Sequence, residues 1–226
     1  MGISNQNQGL RSGVCLSTNR PTTPYAGMVI YETDTNLSYT WNGSSWQQVS
    51  GGTTVGNSGL VYITEATATS GTTLPVNNCF TSTYASYVLH ISGIPASGAY
   101  GIDLRMRASG SDTITGYYYG MTRVDIAAGT INVSPGNNQS IFATGAIAGT
   151  AGRCTAVIQV TNPQLAQYTS FTSQATDSRG ASAYGGITST GQLTNNTQYD
   201  GFSLMFGAGG GTISNIQVKV YGYRQA

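Results

Sequence analysis

Charge is the scarcest ingredient of this 226-residue chain: Asp, Glu, Lys and Arg together make up 8% of it, against roughly 25% in an ordinary soluble domain. Lysine occurs once, at Lys219, and the formal net charge is +1. With no basic run, the electrostatic footprint of a nucleic-acid binder is missing. Histidine also occurs once, at His90. That inventory excludes histidine-rich metal centres and offers a nucleophilic triad only one imidazole. His90 lies in SYVLHIS, opposite the apolar set Tyr87, Leu89 and Ile91, and reads as a structural or surface residue. Three cysteines, Cys15, Cys79 and Cys154, are an odd number at spacings unlike those of zinc sites, so free, packed thiols are expected and no cofactor is implied. No apolar run approaches the ~20 residues that span a bilayer, and MGISNQNQGLRSG lacks the apolar core of a signal peptide. The expectation is a soluble chain made without Sec export.

What the chain does have is Gly, Thr and Ser (31, 31 and 24 residues) and 15 Tyr. That aromatic content is too high for a disordered chain. Residues 1–20 are polar and without periodicity, which reads as an extended N-terminal arm. From 21 to 50, three short strands are expected near 28–33, 37–41 and 45–49. Asp34-Thr35-Asn36 and Asn42-Gly43 supply the turns of a small meander. Tyr31, Trp41 and Trp46 are the large side chains available for one face. Thirty residues cannot bury them alone, so they are candidates for packing against another subunit. GGTTVGNSG at 51–59 has the composition of a flexible connection.

Residues 60–226 alternate as half-buried strands do. Tyr100, Ile102, Leu104 and Met106 share one face, and the same two-residue period recurs at Tyr87/Leu89/Ile91, Ala156/Ile158/Val160, Phe202/Leu204/Phe206 and Ile216/Val218/Val220. Breakers such as GIPASGA, SPGNN and GAGGGT separate these runs. The predicted fold class is therefore all-β, a C-terminal antiparallel β-sandwich preceded by the three-stranded meander and the arm. Open sheets guard their edge strands with charge. This chain has little charge to spend there, so packing between copies is the expected cover.

The eight acids are too scattered to nominate a catalytic pair. Asp34 and Asp200 read as turn residues. Asp103, Arg105 and Arg107 share a strand face and read as an exposed charge ladder, with a subunit contact or partner recognition as the alternative. GAGGGT precedes a strand rather than a helix and carries no phosphate-binding signal. Candidate receptor contacts are Tyr117, Tyr118 and Tyr119 in TITGYYYGM, and Tyr184 beside Gly185-Gly186. Tyrosine gives large, rigid contact area and stacks on sugars. Alternation places Tyr117 and Tyr119 on one face and Tyr118 on the other.

TNRPTTPYAGMVIYETDTNLSYTWNGSSWQQV, with its Arg-Pro, Tyr-Glu-Thr-Asp-Thr and Asn-Gly…Trp elements, resembles a small β module near the start of virion structural proteins of tailed phages, notably marine and cyanobacterial ones. FTSTYASYVLHISGI, IDLRMRASGSDTITGYYYG and YDGFSLMFGAGGGTISNIQVKVYGY are similar to the jelly-roll-like β-sandwich heads of phage fibre, spike and head-decoration proteins. The resemblance implies a non-enzymatic homotrimer on the outer surface of the virion, a short tail fibre or knob. Its residues 1–50 would dock on tail or capsid proteins, and its head would contact host-surface polysaccharide. No shaft separates the two modules, which keeps a capsid decoration or head-fibre role as the alternative. A polysaccharide-cleaving tailspike is the lesser one.

Overall fold

The computed structural model describes residues 13–49, 59–150, 152–180 and 183–224. Residues 1–12 of the expected arm, residue 50 at the end of the expected meander and 51–58 of the expected connection lie outside the described residues. The chain divides into two compact units, Met1–Asn57 and Ser58–Ala226.

In the first unit β1 (Gly13–Cys15), β2 (Val29–Glu32), β3 (Leu37–Trp41) and β4 (Trp46–Gln48) form one sheet in that order. The turns follow the residue chemistry. Asn36 adopts φ 56° and Gly43 φ 101°, and the Asn42 side chain accepts the amides of Ser44 and Ser45. Two expectations need correction. The meander has a fourth strand, because β1, inside the supposed arm, pairs in parallel with β2. Side-chain periodicity could not reveal a three-residue strand held by its backbone and by the Asp34 carboxylate, which accepts the Ser17 amide at 2.9 Å and its hydroxyl at 2.5 Å. Tyr31, moreover, does not share a face with the tryptophans. Ile30 pairs with Tyr39 and Tyr31 with Ser38, so Trp41 and its cross-strand partner Trp46 lie on the face of Ile30, and Tyr31 on the other.

That first face carries an ion pair. Glu32 is fully buried, and its carboxylate accepts Arg20 Nε at 2.5 Å and the Thr35 hydroxyl at 2.8 Å. Arg20 in turn lies 4.3 Å from the centre of the Tyr39 ring. A carboxylate taken out of water costs several kcal/mol unless it is paired and hydrogen-bonded. The pairing explains why an acid can sit beside Ile30 in so small a unit.

The second unit contains β5 (Leu60–Ala68), β6 (Thr73–Val76), β7 (Tyr84–Pro95), β8 (Tyr100–Ala108), β9 (Ser111–Asp112), β10 (Tyr117–Asp125), β11 (Thr130–Gln139), β12 (Phe142–Ala148), β13 (Cys154–Thr161), β14 (Thr169–Gly180), β15 (Ala183–Leu193), β16 (Gly201–Phe206) and β17 (Ile213–Arg224). Eight of these run antiparallel in the order β5-β17-β7-β13-β14-β15-β10-β11. A shorter set, β12-β8-β16-β6, forms the facing layer. The fold is all-β, as expected, but its layers are not separate antiparallel sheets. Beyond the first residues of β13, β14 continues along β12 through a short parallel step, Ile147 with Asp177 and Ala148 with Ser178.

The alternating residues build the core. Tyr87, Leu89, Ile91, Ile158, Val160, Val218 and Val220 from the long sheet and Ile102, Leu104, Met106, Phe202 and Phe206 from the short one are buried in a single cluster. Each such side chain contributes about 1.5–3 kcal/mol on leaving water. Rings lock the layers together: Phe142 stacks on Phe171 at 4.8 Å, and Phe80 touches both Tyr87 (4.6 Å) and Phe202 (5.6 Å). At Gly93 the layers come so close that a Cβ would stand 3.0 Å from both Ile102 and Phe206.

Asp103, Arg105 and Arg107 are not an exposed ladder. Asp103 is buried and accepts the Ala208 amide at 2.6 Å. Arg105 donates to the Ser140 carbonyl, and Arg107 binds Asp112 at 2.5 Å and the Ser203 hydroxyl at 2.9 Å. The loop after β16 and the short β9 cover this face, a tertiary event that strand alternation does not report.

Candidate functional site

The back of the long sheet, turned away from the core, is where the molecule offers a broad surface. Register places one residue from each of its strands in a row: Glu65, Lys219, His90, Val157, Gln174, Thr188, Thr122 and Val133. The next row runs Tyr62, Tyr221, Val88, Gln159, Thr172, Thr190, Gly120 and Pro135. With strands ~4.8 Å apart, each row spans about 34 Å. Beyond the Glu65–Lys219 pair at one margin (3.8 Å), these two rows present hydroxyl, amide, imidazole and aliphatic groups. Most of these positions can donate or accept hydrogen bonds without carrying a fixed charge.

Its relief is shallow. An open groove of about 330 Å³ is lined by Leu60, His90, Gln159, Thr172, Gln174 and Tyr223. A neighbouring depression of about 240 Å³ shares His90 and reaches Ser92, Thr155 and Lys219. A third, of about 330 Å³, lies toward the hairpin between Thr122, Gln174, Gly186 and Thr188. Aromatic groups gather at the groove's end: Tyr221 meets Tyr62 edge-on at 5.8 Å and His90 at 5.6 Å. Tyr62 and Tyr223 are exposed. Amphipathic rings beside amide and hydroxyl donors suit a polymer rich in hydroxyl groups.

The candidate tyrosines are not brought together. Tyr117 is fully buried, so it is withdrawn as a receptor contact. Its hydroxyl accepts the Met106 amide at 2.7 Å and donates to the Thr113 carbonyl at 3.2 Å. Burial pushes that phenol well above its usual range. Tyr119 turns inward too, edge-on to Phe142 at 5.9 Å, and lies so close to Gly136 that a Cβ there would be 2.4 Å from its ring. Tyr118 is on the outer face, 37% exposed, opposite Gln192. Tyr184 is exposed, but eight residues from Gln192 along the same strand, roughly 27 Å at the ordinary rise.

The sequence singles out neither the groove residues Gln159, Gln174 and Tyr223 nor the nearby rings of Tyr62 and Tyr221, and it marks His90 only as a structural or surface residue. A signal was present: Ser170, Thr172, Gln174 and Thr176, like Thr188, Thr190 and Gln192, put a polar uncharged group at every second position. Which strands those ladders adjoin depends on pairing between distant segments.

Carboxylate chemistry has little footing. Asp125 and Asp177 converge, but both hold Arg123, whose Nη2 lies 2.6 Å from Asp125 and Nε 2.8 Å from Asp177. Asp177 also pairs with Arg179 at 2.9 Å. Burial raises the Asp177 carboxyl above the usual range, and Arg123 opposes that shift. Cys79 and Cys154 are free and buried, with thiols pushed up to about 12 chiefly by desolvation. Among the described residues, no group of three or more His, Cys, Asp or Glu side chains could hold a metal ion.

Fold and surface together define an all-β protein of two units with a largely neutral, polar sheet face. No family model matches the chain, and no curated protein or solved structure matches it.

Proposed function

We propose that this chain is a non-enzymatic structural protein of a phage virion, a short tail fibre or knob whose larger unit attaches to a host-surface polysaccharide. The observation that carries the reading is the outer face of the long sheet. Glycan recognition calls for rings to stack on and for neutral donors and acceptors in fixed rows. Tyr62, Tyr221, Tyr223 and His90 supply the first, and Gln159, Thr172 and Gln174 the second. Single sugar contacts are weak, and several copies on one particle would multiply them. The resemblance of residues 18–49 to virion modules gives the first unit the docking role.

The test is retention of the fluorescently labelled protein on bacterial cells, with purified host polysaccharide as competitor. Thr172→Glu with Gln174→Glu should abolish retention, because both side chains are exposed and the change puts two like charges in the groove without touching the core. Equal retention of variant and parent, or no competition by the polysaccharide, would refute the attachment reading.

A further inference from the structure

We propose that β11 is a self-association edge, pairing antiparallel with the same strand of a second copy of this chain. The proposal does not depend on what the outer face binds. Among the described residues, strand β11 pairs with β10 and with no other strand, leaving its second edge free. Nine of its ten residues are exposed, Gly136 being buried. Ile131 and Val133 are each 71% exposed, with Val124 and Ile126 beside them at 44% and 59%. Bare backbone donors and acceptors next to aliphatic side chains are a template for another strand.

At the opposite margin of the long sheet, Glu65 on β5 binds Gln217 at 2.6 Å and faces Lys219. Nothing charged lies in TINVSPGNNQ.

The sequence of the strand selects the occupant. If two copies pair about Asn132, Ile131 stands opposite the partner strand's position 133 and Val133 opposite its position 131. Thr130 meets position 134, so apolar faces apolar and hydroxyl faces hydroxyl. Pro135, which has no amide to donate, then falls opposite position 129, just past the ladder. Any pairing centred further along would bring that proline into it. The match is isologous, so it closes at two copies. The three-fold assembly implied by the family resemblance would need a different contact. Five residues a side make an interface well under the ~1,000 Å² of a stable assembly, so weak association, in about the 0.1 to 1 mM range, is expected.

Light scattering and sedimentation on the full chain across that concentration range test the idea. The parent should form a dimer, with amide exchange in 130–134 slowing as concentration rises. Ile131→Lys with Val133→Lys places four like charges across the seam and should weaken association by at least about tenfold. Val157→Lys, on the same face but in a central strand, should leave it unchanged. Circular dichroism shows whether each variant keeps its fold, and if the double variant does not, the exchange measurement on the parent decides. A monomer at every concentration, an odd-numbered assembly, exchange in 130–134 independent of concentration, or a dimer indifferent to the double variant would overturn the proposal.

Discussion

The hydroxyl of Tyr117 accepts the backbone amide of Met106 at 2.7 Å, joining the root of the β10–β11 hairpin to the middle of β8. The residue is fully buried, so no water can replace its oxygen. Tyr117→Phe keeps the ring and strands the amide. It should cost about 1–3 kcal/mol in urea unfolding, whereas Tyr118→Phe, half out in solvent, should change stability by less than ~0.5 kcal/mol. Equal effects would mean that the hydrogen bond contributes nothing.

Gly185 and Gly186 are adjacent, yet they should respond oppositely to alanine. A Cβ on Gly185 would stand 1.9 Å from the Val124 carbonyl oxygen, while one on Gly186 meets nothing within 4 Å. Gly185→Ala must push β15 and β10 apart and should destabilise by about 1–3 kcal/mol. Gly186→Ala faces solvent and should be neutral, or stabilising by up to ~1 kcal/mol, through the unfolded chain. Paired thermal melts would read the difference.

Asp103 should give stability a pH dependence. Burial raises its carboxyl from 3.8 to about 7, partly opposed by the Ala208 amide and by Arg105. The folded state therefore holds the proton more tightly than the unfolded one. This contribution is fully present below pH 3.8, declines as pH rises, and is gone above about 7. Asp103→Asn retains an acceptor for Ala208 and should flatten that part of the curve in denaturant titrations between pH 4 and 8. An unchanged slope would show that Asp103 is not its source.

The alternation of Ile102, Leu104 and Met106, or of Tyr87, Leu89 and Ile91, announced core strands because one buried face imposes a period of two on the local sequence. The Asn36 and Asn42-Gly43 turns were legible for an equally local reason. Relations between strands were not. Tyr31 and Trp41 took opposite faces because register across a turn, not periodicity within a strand, sets which residues align. Asp103 was misread as exposed because its cover comes from residues 207–209, a hundred positions away. The outer-face rows required the order of eight strands, of which only the polar half of β14 and β15 left a trace in the sequence.

Strand β17 is the last of the described elements and sits inside the sheet, between β5 and β7. While the chain is being synthesised, residues 60–68 and 84–95 are therefore ready to pair but lack the strand that joins them until position 224 has left the ribosome. Until then the nascent protein carries a gap in its framework. Completion waits on contacts more than 150 residues apart, as between Tyr62 and Tyr221, which makes for slow folding and exposed seams. A chain stalled or cut before residue 213 would leave β5 and β7 without their shared neighbour. Production in the cell should consequently be more sensitive to truncation there than to any loss from the hairpin tip at 126–129.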